Sequence, residues 1–182
     1  MHGLIFTAFR AFVASEYPST ADEVWANGRH VVTEAYSDEE FDAIVTRTVD
    51  LSGDPRATVL RRFGIFAGVS TFRLLYPDYY AEHGDTFSFL LDVEQRIHEV
   101  VRGTVPLAAP PHLGIRALSG GGVSIAYTSS RALCELLEGL VVGVARFYGD
   151  AVLIEQPLCM HRGDAAGCTF FVTPAPGAGP LN

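Results

Sequence analysis

The chain has 182 residues, of which 48% are hydrophobic and 19% are charged. This length is enough for one well-buried domain and too short for two. The formal net charge is −8, all 13 basic residues are arginines, and no run of them forms a stripe that could follow a phosphate backbone. Composition and charge therefore argue against a nucleic-acid-binding protein.

The sequence also predicts a cytosolic protein without a membrane span. The N-terminal apolar stretch contains Arg10 and has no small-residue cleavage site, so it does not have the pattern of a secretory signal. The longest apolar run, residues 136–144, contains Glu138 and is too short to cross a bilayer. In the cytosol, three cysteines indicate free thiols or metal ligands rather than a disulfide framework.

The first half of the chain has the periodicity of amphipathic helices, with apolar residues three and four positions apart. Ser37 and Glu40 form a capping-box pattern ahead of one such segment, and Pro55 suits the first turn of another. The segment 64–75 is expected to stop before Pro77. The helices predicted in this half cover residues 3–15, 19–25, 38–45, 54–75 and 86–102.

The pattern changes after residue 102. A proline-bearing loop at 103–111 precedes short apolar segments bounded by turn residues, which are typical of strands. A helix at 131–148 separates the second strand from the third. The predicted strands cover residues 113–118, 123–127, 152–158 and 169–173.

Helices followed by an antiparallel sheet predict an α+β fold. No internal repeat interrupts this organisation. We expect one domain over 1–182, with a helical part at about residues 1–65, an α+β part at about 66–173 and a flexible tail at 174–182.

Tyr127, Ser129 and Arg131 form a Tyr-x-Ser-x-Arg string at the end of the second predicted strand. In an extended segment alternate side chains project from one face, so the string would bring two hydroxyls and a guanidinium close together. Arg131 can donate two parallel charge-assisted hydrogen bonds to one carboxylate, and each hydroxyl can donate one more. The string therefore predicts a carboxylate-binding site, although three polar residues on the solvated face of a strand would have the same pattern.

His98 lies 29 positions before Tyr127, on the predicted helix 86–102. Glu94 lies one turn earlier on the same face, where it could orient the imidazole. A haem carries two propionates and needs an axial ligand, which a neutral imidazole supplies well. His98 and the string together therefore indicate a haem site, whereas His98 by itself would suit a partly buried helix histidine.

Strings across nearly the whole chain resemble the haem nitric oxide/oxygen-binding (H-NOX) family, which includes the sensor domain of soluble guanylate cyclase. The most specific are the Tyr127, Ser129 and Arg131 string and the histidine upstream of it. The others are Met1-His-Gly-Leu-Ile5, Trp25, Tyr76-Pro77-Asp-Tyr-Tyr, Ile97-His98-Glu-Val-Val, Pro110-Pro111-His-Leu and the closing segment 159–172. The resemblance implies a b-type haem (haem b) between the helical part and the sheet, with the string on its propionates.

Two alignments with this family differ in the iron ligand. The intervals of 12 positions from His98 to Pro110 and 29 to Tyr127 agree with the family's spacing. An alignment anchored on Gly103 would put Glu94 at the ligand position and predict no iron bond. Because that alignment needs a gap before the proline pair and breaks the Ile-His match, we favour His98 as the ligand.

The resemblance also assigns residues around the haem. Ile5, Phe9, Phe72 and Leu136 would line the face where gas binds, and Pro111 would press on the porphyrin, although each also suits ordinary core or a turn. Oxygen on ferrous haem needs a hydrogen-bond donor to persist, whereas nitric oxide and carbon monoxide do not. Oxygen-binding members have a tyrosine at the position of Leu136, so this apolar set predicts a nitric oxide sensor that excludes oxygen.

Cys134, Cys159, Cys168 and His161 have the composition of a closed tetrahedral zinc site. Some bacterial members of the family bind zinc in this region through three cysteines and a histidine. Their histidine falls at the position of Gln156, so His161 could serve only after a local rearrangement. Zinc binding and free, redox-active thiols therefore both stay open.

The function implied by the resemblance is binding and relay rather than catalysis, and the sequence has no nucleophile elbow, phosphate loop or convincing acid-base pair. The chain contains no kinase or cyclase domain, so a separate histidine kinase or cyclic-dinucleotide enzyme is expected to carry the output. The alternative is a haem-free relative that holds a small apolar molecule or acts as an interaction module. That alternative would leave the Tyr127, Ser129 and Arg131 string without a role.

Overall fold

The computed structural model describes residues 1–25, 30–106, 109–163 and 166–176, and the statements below concern these residues. Most of the predicted flexible tail, residues 177–182, lies outside them, whereas Pro174 at its start is the last residue of a strand. Within the described ranges, no helix is long and apolar enough to cross a membrane.

The first half of the chain is helical, as predicted. The capping box begins its helix as expected, because the Glu40 N–H donates to Ser37 Oγ at 3.1 Å. A short helix that starts at Pro77 was not predicted, since the sequence pattern only ended the preceding helix there. The helices are α1 (Gly3–Glu16), α2 (Ala21–Val24), α3 (Asp38–Ser52), α4 (Arg56–Phe66), α5 (Phe72–Leu75), α6 (Pro77–Glu82), α7 (Thr86–Val93) and α8 (Glu99–Thr104).

Two π-helical turns, Ala67–Thr71 and Glu94–His98, join α4 to α5 and α7 to α8. The segments predicted as helices at 54–75 and 86–102 are therefore continuous but locally widened. At the first turn, the Tyr80 hydroxyl donates to the carbonyl oxygen of Gly68 at 2.8 Å, so a carbonyl of the turn has a partner outside its own helix. The second turn ends at His98.

The second half forms a four-stranded antiparallel sheet in the order β1-β2-β4-β3, which confirms the predicted α+β class. A helix, α9 (Cys134–Tyr148), lies between β2 and β3 in the chain. In the register of the sheet, Tyr127 is paired with Leu113 on one side and Cys168 on the other. The strands are β1 (His112–Ala117), β2 (Val123–Thr128), β3 (Val152–Leu158) and β4 (Cys168–Pro174).

The helix predicted from residue 131 begins instead at Cys134. It is preceded by a turn in which Ala132 has a φ of 50°. Two hydrogen bonds hold this turn, because the Arg131 N–H donates to Ser129 Oγ at 3.2 Å and the Leu133 N–H donates to Tyr127 Oη at 3.0 Å. Because a φ of 50° lies outside the right-handed helical region, the helix starts after Ala132, later than the apolar pattern suggested.

Two hydrophobic cores fill the described part of the molecule. The first packs α1, α3 and α4 together around a group of aromatic rings, and the second packs the sheet against α7 and α9. α9 contributes to both, since Leu136 belongs to the first core and Leu137 and Val141 belong to the second. The position of α9 therefore determines how the two cores face each other.

α4 and α9 approach so closely that glycine is required at their contact. A Cβ on Gly139 would lie 2.1 Å from the carbonyl oxygen of Arg61, and a Cβ on Gly64 would lie 2.4 Å from that of Leu136. Both obstacles are backbone atoms of the facing helix, so they cannot be avoided by a change of rotamer. The two helices are held in backbone contact by residues without side chains.

We expect Gly139→Ala to lower the free energy of unfolding by about 1–3 kcal/mol or more, because the added methyl group forces α4 and α9 apart. Denaturant titration followed by circular dichroism measures the loss. Gly103→Ala in α8 is the control, since nothing lies within 4 Å of its Cβ position, and alanine there should be neutral or stabilise by up to about 1 kcal/mol. Unchanged stability of Gly139→Ala would contradict the close contact.

Candidate functional site

An apolar cavity lies between the two cores, and the volume in it that is open to the centres of water molecules is about 220 Å³. Ligand-binding cavities are mostly apolar and have a few placed polar groups. All but one of the residues predicted for a haem site line this cavity. They are Ile5, Phe72, His98, Pro111, Tyr127, Ser129, Arg131 and Leu136.

Phe9 is the predicted residue that does not reach the cavity. It is fully buried in the first core, where its ring centroid lies 4.9 Å from that of Phe63, and Phe63 lines the cavity. Phe9 therefore lies behind the wall, and the resemblance that assigned it to the haem pocket together with Ile5 could not show how deeply it is buried. Phe63 and Tyr76 line the cavity but were not predicted as site residues. The signal for Phe63 was an apolar position in a helical segment, and Tyr76 belonged to the Tyr76-Pro77-Asp-Tyr-Tyr string of the resemblance.

His98 enters the cavity wall from the end of the π-helical turn, and its side chain is 19% exposed. Its Nδ1 lies 3.0 Å from Glu94 Oε2. An ionised carboxylate can only accept a hydrogen bond, so Nδ1 carries the ring proton and Nε2 keeps a free lone pair. Burial lowers the pKa of His98 more than the neighbouring carboxylate raises it, which favours the neutral imidazole. A neutral imidazole with a free Nε2 is able to bind a metal ion.

Glu94 accepts hydrogen bonds from three partners and is not part of the cavity wall, and His112 Nδ1 lies 3.8 Å from its Oε1. Oε2 accepts from His98 Nδ1 and, at 3.1 Å, from the Leu113 N–H of β1, while Oε1 accepts from Arg102. Burial acts to raise the pKa of Glu94, but the hydrogen bonds from Arg102, His98 and Leu113 outweigh it, so the pKa is lowered. Glu94 is therefore an ionised partner of His98, and both its oxygens already accept hydrogen bonds.

The hydroxyls and the guanidinium of the string reach the cavity, but not from one extended strand as predicted. Tyr127 is buried on β2, whereas Ser129 and Arg131 follow in the turn after the strand ends at Thr128. Arg131 Nε donates to Asp38 Oδ1 at 2.6 Å, and Nη1 donates to the carbonyl oxygen of Ala109. The guanidinium therefore links the turn to the start of α3 at the edge of the cavity.

Asp38 is shared between two cations. Its Oδ1 also accepts from the N-terminal ammonium of Met1 at 3.0 Å. Burial acts to raise the pKa of Asp38, but hydrogen bonds from Arg131 and the N-terminus outweigh it, so the pKa is lowered. Arg131 already donates to this ionised carboxylate, so a carboxylate of a ligand suits the same position.

Around the rest of the cavity, the hydrogen-bond donors are tyrosine hydroxyls and the imidazole of His2, whose Nδ1 accepts from the Leu4 N–H at 3.0 Å, so that Nε2 carries the ring proton. Of the tyrosines that line it, Tyr79 donates to the Phe89 carbonyl at 2.7 Å and Tyr80 to that of Gly68 at 2.8 Å. Among the described residues, the Tyr76 hydroxyl has no hydrogen-bond partner, and burial raises the pKa of this phenol. Leu136 is buried on α9 and presents an apolar side chain to the cavity.

The residues of this cavity fit a haem. The cavity offers apolar walls for a flat macrocycle, an imidazole with a free Nε2 for the iron, and two hydroxyls with a guanidinium for the propionates. The histidine and the guanidinium come from different elements, the π-helical turn and the turn after β2. The fold rather than a local motif brings them to one cavity.

Cys134, Cys159 and Cys168 lie together, with all three Sγ atoms within 4.8 Å of one another. Cys134 Sγ and Cys159 Sγ are 3.9 Å apart, and all three residues are buried. Burial raises the pKa of both the Cys134 and Cys168 thiols. The predicted three cysteines therefore form one compact group of thiols.

His161 does not belong to that group of three sulfurs. It is exposed, and its Nε2 lies 2.8 Å from the carbonyl oxygen of Ala132, in a second group with Cys134 and Glu135. The short helix at Met160–Arg162 directs the ring toward the turn before α9, so His161 as a fourth ligand stays a prediction that requires the expected local rearrangement. Gln156 has a buried Nε2 without a partner among the described residues.

Comparison with known proteins assigns the family. The family model described as haem-NO-binding (HNOB) matches residues 2–156. The comparison with curated proteins gave no match. The chain belongs to the haem-NO-binding, or H-NOX, family, whose members are haem-based gas-sensor domains.

Solved structures of H-NOX proteins share the fold. A crystal structure of an H-NOX protein from Shewanella oneidensis in the Fe(II)NO ligation state superposes with a TM-score of 0.87 at 24% identity, covering 96% of this chain and 99% of that one. The unliganded Fe(II) H-NOX protein from K. algicida gives 0.81 at 19% identity, with 96% of each chain covered. A single-residue variant of Tt H-NOX gives 0.84 at 17% identity, covering 96% of this chain and 95% of that one.

Proposed function

We propose that this protein is a nitric oxide sensor that holds a ferrous b-type haem in the cavity, with His98 as the axial ligand. The observation that carries the proposal is the hydrogen bond from His98 to Glu94, which leaves Nε2 free in the wall of an apolar cavity. When bound, the haem supplies the iron at which nitric oxide or carbon monoxide is taken up. Tyr127, Ser129 and Arg131 hold the propionates, and Pro111 contacts the porphyrin.

The first test removes the imidazole. His98→Ala should lose most of its haem during purification, and added imidazole should restore part of the Soret band, because the free ligand replaces the missing side chain. The measurement is the ratio of Soret to protein absorbance. His112→Ala is the control, since His112 lies on β1 with a side chain that is 73% exposed. Equal haem content in both variants would refute His98 as the ligand.

The proposed gas selectivity follows from the shortage of free donors in the cavity. Ile5, Phe72 and Leu136, the residues proposed for the gas-binding face, offer none. Tyr79 and Tyr80 donate to protein carbonyls, and Tyr127, Ser129 and Arg131 are proposed to bind the propionates, so Tyr76 and His2 are the remaining donors among the described residues of the wall. Without a donor, bound oxygen is not stabilised, whereas nitric oxide and carbon monoxide bind without one. We therefore infer a sensor that excludes oxygen.

Ferrous protein in air should show no stable oxygen spectrum, and Leu136→Tyr should gain at least partial oxygen binding through the new hydroxyl. Leu136→Phe is the matched control, because it adds the ring without the hydroxyl. Absorption spectra of the unaltered protein and of both variants, recorded under oxygen and under carbon monoxide, measure the binding of each gas. A stable oxygen complex of the unaltered protein would overturn the selectivity, and its loss in Tyr76→Phe would identify Tyr76 as the donor.

The proposed output is a change in the helix that carries His98. Strain or loss of the bond between iron and His98 would release the segment α7 to α8, which is tied to β1 through Glu94 and Leu113. We propose that this segment signals to a separate partner protein, a histidine kinase or a cyclic-dinucleotide enzyme. The N-terminal end of α7 is fixed by Asp85, whose carboxylate accepts hydrogen bonds from the N–H groups of Phe87 and Ser88.

A haem-free binding module is the second candidate, and one contact favours it. Arg131 already donates to Asp38 and to the carbonyl oxygen of Ala109, so the guanidinium has protein acceptors without a ligand carboxylate. The visible absorption spectrum of the purified protein separates the two candidates. A Soret band supports the sensor, and its absence after expression with added haem precursor supports the module.

We also propose that the three cysteines bind zinc. Three sulfurs within 4.8 Å of one another match the ligands that zinc prefers, and a metal ion would hold them as thiolates although burial raises the thiol pKa. The fourth ligand would come from His161, after its ring turns from Ala132, or from another donor. The alternative is a group of free thiols that respond to oxidation.

Elemental analysis should find about one zinc per chain, and a serine at Cys134, Cys159 or Cys168 should abolish binding, because each removes one of the four ligands of a tetrahedral site. His161→Ala should cause partial loss if His161 is the fourth ligand and no loss if it is not. A complete absence of zinc in protein purified without chelator, together with three thiols that titrate freely after unfolding, would refute the metal site.

A further inference from the structure

A chain of hydrogen bonds lies behind His98, on the side away from the cavity. His98 Nδ1 is 3.0 Å from Glu94 Oε2, and the Leu113 N–H donates to the same oxygen at 3.1 Å. The other carboxylate oxygen accepts from Arg102 Nη2, and Arg102 Nη1 donates to the carbonyl oxygen of Pro111 at 3.2 Å. The proposed ligand is therefore bonded to a carboxylate that is itself fixed by two different elements.

The order of residues in this chain is set by the helix. Glu94 begins the π-helical turn and His98 ends it, while Arg102 lies a further turn along in α8. Acid, imidazole and guanidinium thus follow one another at four-residue intervals on one face of the continuous helix. The side chains of Glu94, His98 and Arg102 are 18%, 19% and 24% exposed, so the contacts are partly shielded from water.

A carboxylate that accepts a hydrogen bond from the second nitrogen of a metal-binding histidine makes the imidazole a stronger electron donor to the metal. The effect depends on how much negative charge the carboxylate keeps. A guanidinium on its other oxygen withdraws part of that charge through a charge-assisted hydrogen bond. Glu94 and Arg102 therefore act on His98 in opposite directions.

We propose that Glu94 is a positioning residue that sets the strength of the bond between His98 and the iron, and that Arg102 moderates it. The proposal rests on the function proposed above, since it requires His98 to be the ligand. Glu94 raises the basicity of the imidazole and fixes its tautomer, and Arg102 limits how strong the bond becomes. With haem bound, the pair would set how easily the bond between His98 and the iron is broken when nitric oxide is taken up, and so how readily the helix is released.

A purely structural role for the same residues makes a different prediction. If Glu94 and Arg102 only fix the helix to β1 and to Pro111, removing either one loosens the support of His98 and weakens its bond to iron. If they tune the electron density of the imidazole, removing Glu94 weakens the bond and removing Arg102 strengthens it. The opposite signs separate the two roles.

The experiment compares Glu94→Gln and Arg102→Gln in the haem-loaded full chain. Both substitutions keep hydrogen-bonding groups but remove the charge. The first readout is the iron–histidine stretching band in the resonance Raman spectrum of the unliganded ferrous protein. It should shift to lower wavenumber in Glu94→Gln and to higher wavenumber in Arg102→Gln. The ratio of five- to six-coordinate nitric oxide complex should rise in Glu94→Gln by roughly 10-fold or more, and fall in Arg102→Gln.

Glu99→Gln is the matched control, because Glu99 follows His98 directly, has the same charge and is exposed on α8. It removes one negative charge from the same helix without touching His98, so the stretching band should not move. An unchanged band in Glu94→Gln, or a downward shift in both Glu94→Gln and Arg102→Gln, would overturn the proposal. Circular dichroism and haem content establish that each variant is folded and loaded.

Failure of the proposed function gives a distinct result. A wild-type protein without haem, or with an iron–histidine band that survives His98→Ala, would remove the ligand assignment and the proposal with it. A wild-type band that depends on His98 but does not respond to Glu94→Gln would leave the sensor function intact and reject only the role of Glu94.

Discussion

The backbone contact between α4 and α9 is the constraint on which the arrangement of the site depends. Gly64 and Gly139 allow the two helices to touch, and Leu136, whose carbonyl oxygen lies at this contact, sends its side chain into the cavity. α9 also begins with Cys134 and contributes residues to both hydrophobic cores. Without a rigid contact between α4 and α9, the cavity between the two cores would close, because apolar surfaces gain stability by collapsing onto each other.

Two ionisable side chains of the cavity wall, His98 and Arg131, are each tied to a different element. His98 is bonded through Glu94 to β1, and Arg131 is bonded through Asp38 to α3. A buried polar group without a partner is costly, so these bonds also explain why ionisable groups can border an apolar space. The same bonds orient the imidazole and the guanidinium before a ligand arrives.

The sequence predicted well what depends on local chemistry. The Ser37 cap, the boundaries of β3 and the helix that carries His98 follow from side-chain patterns over a few residues. It did not predict the π-helical turns, because they depend on distant partners such as the Tyr80 hydroxyl at Gly68. It also placed the start of α9 too early, since a φ of 50° keeps Ala132 out of the helix. The bond from Arg131 to Asp38 joins residues 93 positions apart, and no local pattern encodes it.

Because of the π-helical turn at Glu94–His98, the position of His98 depends on the number of residues in this helix. A π-helical turn contains one residue more than an α-helical turn, and one residue corresponds to a rotation of about 100° around the helix axis. With the start of α7 fixed at Asp85, deleting a residue between Glu94 and His98 would remove the widened turn and leave the two residues three positions apart instead of four, which would change how the carboxylate meets the imidazole. The segment between Asp85 and His98 should therefore tolerate many changes of residue type but no insertion or deletion.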